Sequence, residues 1–449
     1  MPDRTVLEAW ANGKRDLFNK SDAIDPVLFQ DYGVYMGLRD EKGKGVLTGL
    51  TNISEMNAFR EVDGQRVPID GELWYRGYLI QDLIRSLGPK KLGYERIAYL
   101  LLLGQMPDKQ QEEEFFRLIG ENRPLPENFV RDVIMKAPTA DIMNAMTKSI
   151  LTLASHDPDV LHVYPEGSLR RGVQLISWFP SLAVYAYHSY NYKRNDATMY
   201  IHNPDPSLST AENLLMMLRP DQSYTDLEAK VLDTALILHM EHGGGNNSTF
   251  VTRVVTSTGS DAYSTIASAM SSLKGPKHGG ANIKVMQMME DIRNHVKNWR
   301  DEEEVAAYLK KMLAGEAYDG KGLIYGIGHA VYTLSDPRER VFKSFVERLA
   351  AAKGRDDDMA LYQSVENTAP GLLAARSPGK YFCPNVDFYS GFVYDMLGIP
   401  QELYTALFAV ARIVGWSAHR LEELITSDKI IRPAYMSVMK NHYPEVPSL

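Results

Sequence analysis

From Tyr78 onward the chain carries apolar residues at helical spacing: Leu79, Ile80, Leu83 and Ile84, then Ile97, Leu100, Leu101 and Leu103. A small β element is predicted ahead of them, because Val62-Asp63-Gly64-Gln65 lies between short β-prone stretches and Asp-Gly is a favoured hairpin turn. Helix is then expected to dominate to the C-terminus. Asn203-Pro204-Asp205-Pro206 breaks the chain, and Ser209 and Glu212 stand at capping-box spacing ahead of another helix. Thr225 and Glu228 repeat that arrangement. Leu227, Val231, Ala235 and Leu238 share one face of the helix they open, and Gly243-Gly244-Gly245 stops it, which puts His239 and His242 at its C-terminal end. Ser260 or Asp261 caps a helix lined by Ile266, Met270 and Leu273, and Gly275-Pro276 ends it just before His278. Ser390 is expected to start a short helix closing at Gly398, and Pro400 to open the long apolar helix that carries Arg412. No repeat of fixed period and no low-complexity tract is visible, so the architecture reads as mainly α.

The longest apolar runs, around Ile97 to Leu103 and Ala406 to Gly415, fall well short of the ~20 residues needed to cross a bilayer, so both are expected as buried helices. A chain of 449 residues with 44% hydrophobic content can fill at least one large core and divide into two or three folding units. Its 49 Lys and Arg against 57 Asp and Glu give 49 − 57 = −8, which argues against a general nucleic-acid or membrane-surface role. An anionic ligand must therefore meet locally placed bases. Cys383 is the only cysteine, which excludes intramolecular disulfides and zinc ribbons and suits a reducing compartment. The opening MPDRTVLEAWANGKRD lacks an apolar segment and does not read as a signal peptide, so a cytoplasmic location is expected.

Five of the 11 histidines, His239, His242, His278, His295 and His329, fall between positions 239 and 329, and imidazole is the side chain best tuned for proton work near neutrality. Singly, each reads as a hydrogen-bonded structural residue, and His295, on a polar helix face, stays in that class. His278 differs, because GPKHGGAN surrounds it with small residues that allow a ligand close to the backbone. His329 repeats the theme in YGIGH, and Asp336-Pro337-Arg338 follows with an anion-binding candidate. Gly326-x-Gly328 lacks the third glycine of the dinucleotide fingerprint, and His239-x-x-His242 lacks the four-residue spacing of a metalloprotease helix, with no Cys cluster to complete a zinc site, so neither a Rossmann site nor a metal site is expected. Asp387 is an acid among apolar and aromatic neighbours, where desolvation can raise its basicity; a helix N-terminal acid is the competing reading. Arg412 interrupts FAVARIVGW, and a buried guanidinium needs a carboxylate, from protein or substrate. Arg432 in IIRP has similar surroundings over a shorter stretch, with a surface salt bridge as its plain alternative.

Taken together, LHMEHGGGNNST, GPKHGGAN, YGIGHAVYTLSDPR, NVDFYSG, FAVAR and IIRPAYMS occur in the order found in the citrate synthase family, which the chain resembles from about Leu73 (LWYRGYLIQDL), through NPDPSLSTAENLL, to about Ser437. The resemblance implies a citrate synthase-like, two-domain, multi-helical fold with a small N-terminal β element. Residues 1–278 and 393–449 would form the large domain and residues 279–392 a small, CoA-side domain. It also implies a homodimer in which acetyl-CoA condenses with oxaloacetate to citryl-CoA, hydrolysed in the same site to citrate and CoA, with no metal or redox cofactor.

By matching positions, Asp387 looks like the base that removes a proton from the acetyl methyl, and His278 like the residue that stabilises the enol or enolate oxygen. A thioester α-proton is weakly acidic, so both are needed. His329 matches the residue that polarises the oxaloacetate ketone, His242 a substrate-binding histidine, and Asn246 an assisting neighbour. Arg338, Arg412 and Arg432 match the arginines for the substrate carboxylates, the last reaching across the dimer interface, a role suited to bidentate guanidinium. Gly326, Ile327 and Gly328 fall on the CoA-binding loop. Two positions depart from the family pattern: Gly243 stands where an acid usually follows the histidine, and Thr333 where a base often lies, leaving Lys274, Lys277 and Lys321 as sources of charge for CoA phosphates. The nearest alternative is 2-methylcitrate synthase, which accepts propionyl-CoA; a catalytically silent helical scaffold or ligand sensor is the alternative of a different class.

Overall fold

The computed structural model describes residues 4–40, 43–88 and 92–439. It falls into two units, residues 1–49 and 50–449. The first contains α1 (Arg4–Gly13), α2 (Arg15–Asp22) and α3 (Pro26–Asp31), helices that the sequence pattern did not announce. None of their residues is buried, and Val6, Leu7, Trp10, Leu17 and Phe18 are exposed.

The second unit opens with the expected hairpin, β1 (Ser54–Val62) and β2 (Gln65–Tyr75), with the short β3 (Tyr78–Leu79) paired antiparallel to the end of β2. Asp63 and Gly64 both take positive φ, as a two-residue primed turn requires. Helices follow: α4 (Ile80–Leu87), α5 (Gly93–Leu103), α6 (Lys109–Glu121), α7 (Ile142–Leu153), α8 (Pro165–Asn195), α9 (Thr210–Leu218), α10 (Asp226–His239), α11 (Asn247–Thr256) and α12 (Ala262–Leu273). Beyond them come α13 (Ala281–His295), α14 (Glu302–Leu313), α15 (Pro337–Lys353), α16 (Asp356–Arg376), α17 (Val386–Met396) and α18 (Tyr404–Thr426). Mainly α is therefore the fold class. Among the described residues, no helix is long and apolar enough to cross a membrane.

Both predicted capping boxes form, Ser209 with Glu212 and Thr225 with Glu228, and Asp261 caps α12. The two apolar runs lie in α5 and α18, and α18, buried along most of its length, packs against α5, α8, α10 and α11. Two boundaries differ from expectation. α10 closes at His239 rather than at the glycines, so His242 lies beyond the helix, in the loop that leads into α11. α17 begins at Val386, not Ser390, because the Asn385 side chain caps it by accepting from the Asp387 N–H, and Ser390 is a buried mid-helix residue. Similarly, Pro400 precedes a short 3₁₀ turn, Gln401–Leu403, before α18 begins.

Candidate active site

The N-terminus of α15 and the N-terminus of α17 are tied together by one buried carboxylate. Asp336 caps α15 by accepting from the Arg338 N–H (3.0 Å), accepts from the Val386 N–H of α17 (3.2 Å), and holds the Arg338 side chain through Nε (3.0 Å) and Nη2 (2.7 Å). Burial opposes its ionisation, but the Arg338 charge wins and keeps it below the usual aspartate range. Arg338 is thus fixed, buried, with Nη1 turned away from this carboxylate. Arg412, fully buried in α18, donates through Nε to the His239 carbonyl (2.7 Å), lies over the Phe408 ring (4.8 Å), and has no partner for Nη1 among the described residues. Burial pulls its pKa down to about 10.

Asp387 sits in the first turn of α17, so both sequence readings of it hold in one place: it is a helix N-terminal acid and a desolvated one. Burial is the largest influence on its carboxyl, outweighing Arg338 and Arg412, and lifts its pKa to about 6. No side-chain donor engages it among the described residues.

The histidines gather around these charges. The His242 and His329 rings meet edge to face at 5.1 Å, and Tyr332 stacks on His329 at 4.8 Å. His329 Nδ1 accepts from the N–H groups of Val331 (3.0 Å) and Tyr332 (3.1 Å), so the neutral ring carries its proton on Nε2, the nitrogen 3.3 Å from Arg338 Nη2. That contact sets two donors side by side, so that one acceptor oxygen can take both. Burial and the Arg338 charge lower His329 to about 4; burial and the Arg412 charge do the same to His278. His242, pressed by burial and then by Arg338, His329 and Arg412, is held well below the usual imidazole range. All three are neutral at pH 7 and act as hydrogen-bonding groups rather than cations. His278 Nε2 lies 3.1 Å from Ser248 Oγ, which also receives the Trp416 indole N–H (3.1 Å) and reaches Asn246 Oδ1 (3.0 Å).

Glycines shape the loop beside Asp387. Gly326 has φ +79°, and a Cβ there would meet Val285 and Phe388 at about the distance of overlap, 2.8 Å and 3.0 Å. The loop is stitched to the strand-like segment before α17 by Gly328 N–H to Cys383 O (2.7 Å), Asn385 N–H to Gly326 O (2.9 Å) and Asn385 Nδ2 to Gly328 O (2.8 Å).

The structure therefore brings His242, Asn246, His278, His329, Arg338, Asp387 and Arg412 into one linked cluster of side chains, with the loop Gly326, Ile327 and Gly328 beside it. Arg432 is not among them: it is exposed in the extended segment after α18. The described residues hold no group of three or more His, Cys, Asp or Glu side chains suited to a metal ion.

The family description "Citrate synthase, C-terminal domain" matches residues 41–434. The chain belongs to the citrate synthase family. It is accordingly an acyltransferase of the kind that converts acyl groups into alkyl groups on transfer. A citrate synthase from Synechocystis sp. is 34% identical over 421 residues, 92% of this chain and 95% of that protein. A 2-methylcitrate synthase from Shewanella oneidensis is 32% identical, covering 81% of this chain and 87% of that one. The Thermoplasma acidophilum citrate synthase, solved as a ternary complex with carboxymethyl coenzyme A and oxaloacetate, superposes with a TM-score of 0.75 at 26% identity, over 92% of this chain and 97% of that chain.

Both departures from the citrate synthase pattern have a structural account. Gly243 has φ +83°, a conformation in which any side chain is strained, and an acid there would also have to displace Met56 Cε of β1, 2.4 Å from its Cβ. The acid stands at Glu241 instead, buried, accepting from His419 Nε2 (2.9 Å), Ser54 Oγ (2.8 Å) and the Gly243 N–H (2.6 Å). Burial opposes its charge, but the His419 contact and the Arg412 guanidinium hold its pKa at about 2. Thr333 turns its hydroxyl toward the Ala58 carbonyl of the hairpin, at 3.4 Å. Lys274 pairs with Asp141 (2.6 Å), and Lys321 lies 3.9 Å from Asp319. Sequence reasoning missed Glu241, Ser248 and Tyr332; only Glu241, an acid adjoining a singled-out histidine, carried a visible signal.

Proposed function

We propose that this pocket makes citrate: acetyl-CoA condenses with oxaloacetate, and the citryl-CoA formed is hydrolysed to citrate and CoA. The observation that carries the reading is Asp387, a carboxylate with its pKa raised to about 6 and no side-chain partner among the described residues, set among neutral histidines and two buried arginines. A base of that strength is mostly ionised at pH 7 yet basic enough to share a proton with an activated methyl. Asp387 removes the acetyl methyl proton, and a His278 N–H meets the charge that develops on the thioester oxygen. The new carbanion attacks the ketone carbon of oxaloacetate while His329, with its proton on Nε2, polarises that ketone oxygen. The alkoxide then takes up a proton, and water cleaves the thioester. Arg338 and Arg412 hold the carboxylates, with His242 and Asn246 beside them, and CoA lies along Gly326, Ile327 and Gly328. None of these steps needs a metal or redox cofactor.

The segment 279–392 acts as a small domain that closes once oxaloacetate is bound, since it contributes His329, Arg338 and Asp387 while His242, His278 and Arg412 come from outside it. The working form is a cytoplasmic homodimer in which Arg432 of each chain completes the site of its partner; its exposure in this chain suits that role. Propionyl-CoA as the donor is the second reading, favoured by the 2-methylcitrate synthase relative, because one methylene in an apolar pocket shifts discrimination by only ~1–3 kcal/mol. Steady-state assays with oxaloacetate and each donor, following free thiol, decide between them. A higher kcat/KM for acetyl-CoA is expected; a higher value for propionyl-CoA reverses the assignment, and no thiol with either leaves a silent scaffold.

A further inference from the structure

Tyr332 belongs to none of the roles above, yet it touches most of the pocket. Its ring stacks on His329 (4.8 Å, 29° between planes), meets the edge of His242 (5.6 Å), and has the Arg338 guanidinium 5.9 Å from its centroid. Behind it stands the hairpin. Ala58 and Cys383 pack against it, and the ring lies so close to Gly71 of β2 that a Cβ there would fall 2.7 Å from Tyr332 Cδ1. Only 2% of the residue is exposed, and the hydroxyl is buried with no hydrogen-bond partner among the described residues.

A buried hydroxyl without a partner is costly, and native proteins retain few of them. This one is not isolated. His242 Nε2 and Arg412 Nη1 are likewise buried and unpartnered in the same pocket. Buried polar groups left unsatisfied together, two of them on rings in contact, mark where a polar ligand completes the bonding. Arg338 adds direction: Asp336 occupies its Nε and Nη2, so a carboxylate that it grips through Nη1 keeps lone pairs free for a neutral donor nearby.

We propose that the Tyr332 hydroxyl is a further substrate ligand, donating to a carboxylate oxygen of the bound oxo-dicarboxylate, so that the hairpin contributes to the active site through the residue it braces. This rests on the reading of the pocket as an oxaloacetate site. Tyr332→Phe keeps the ring, its stack on His329 and its brace against β2, and removes only the hydroxyl. Calorimetric titration with oxaloacetate should show Kd raised about tenfold or more, the range for a hydrogen bond to a charged acceptor. At saturating oxaloacetate, kcat should fall less than about threefold, because the bond is made equally in ground and transition states. The acyl-CoA KM should be unchanged, and the ligand-free protein should melt at the same temperature or higher, having lost an unsatisfied group. A purely structural hydroxyl would leave Kd within twofold of wild type, and that result overturns the inference alone. Failure of the wild type to bind oxaloacetate would overturn the pocket reading and this inference with it.

Discussion

Two buried arginines on α18, Arg412 and Arg420, share a helix, and burial holds the pKa of each down at about 10. Their surroundings differ. Arg420 donates through Nε to Ser168 Oγ (3.1 Å), through Nη1 to Thr256 Oγ1 (3.2 Å) and Thr265 Oγ1 (2.7 Å), and through Nη2 to the Ser260 carbonyl (2.8 Å). Arg412 has one carbonyl for Nε, and its Nη1 is left over. A guanidinium can therefore be buried with neutral oxygens as its hydrogen-bond partners if enough surround it, and within this pair the arginine of the site is the one with a donor left unused. Carboxylates divide in the same way: Asp336 is fully engaged by Arg338 and two backbone amides, whereas no side chain among the described residues engages Asp387.

The largest effect should come from the unengaged carboxylate. Asp387→Asn keeps the shape and should keep oxaloacetate binding, while kcat drops about a thousandfold, within the range of a lost general base; single-turnover kinetics on purified protein measure it. Near wild-type turnover would remove the base assignment.

Next in size is Arg412→Leu, expected to lower kcat/KM for oxaloacetate by about a hundredfold while unfolding in urea shifts by less than about 1 kcal/mol, since a poorly satisfied buried charge is exchanged for an apolar side chain. Arg420→Leu should do the reverse. Stripping four hydrogen bonds from a buried cation should cost about 3 kcal/mol, with the activity of the remaining folded protein within about twofold of wild type. If both substitutions damaged stability equally, unused donors would lose their value as a guide.

The smallest effect is a pH-dependent one. The folded pKa of Asp387, about 6, lies above the ~3.9 of an unfolded aspartate, so its ionisation costs stability rather than adding to it. The cost is fully present above pH 6, declines as pH falls from 6 to 4, and vanishes below that, with an upper size of about 2–3 kcal/mol. Asp387→Asn should thus melt above wild type at pH 8 and level with it near pH 4, and wild-type kcat/KM should decline as pH falls through about 6. Calorimetric scans at the two pH values would expose a carboxylate that is instead stabilised by its neighbours.

Much of this protein was legible in short stretches of sequence, and for a common reason: the determinants act over a few residues. Asp63-Gly64 adopts the positive φ pair of its turn, and the Ser209 and Thr225 capping boxes close with the glutamates three residues on. The apolar runs became α5 and α18. The motif residues His242, His278, His329, Arg338, Asp387 and Arg412 were all named from sequence, as candidates or by resemblance. By contrast, helices α1 to α3 went unread, although Val6, Leu7 and Trp10 stand at helical spacing; none of their residues is buried. Ser390 was a plausible cap until Asn385, closer to the break in chain direction, took the position.

What only the tertiary structure decided is which polar groups are satisfied. Glu241 meets His419 across 178 positions of sequence, Arg420 finds its oxygens on three separate segments, and Tyr332 is wedged by a hairpin more than two hundred residues away. Sequence supplies each donor and acceptor but not its neighbours across the fold. Desolvation and hydrogen bonding act through space, so the pKa of Asp387 and the unused donors of Arg412 exist only once distant helices have met.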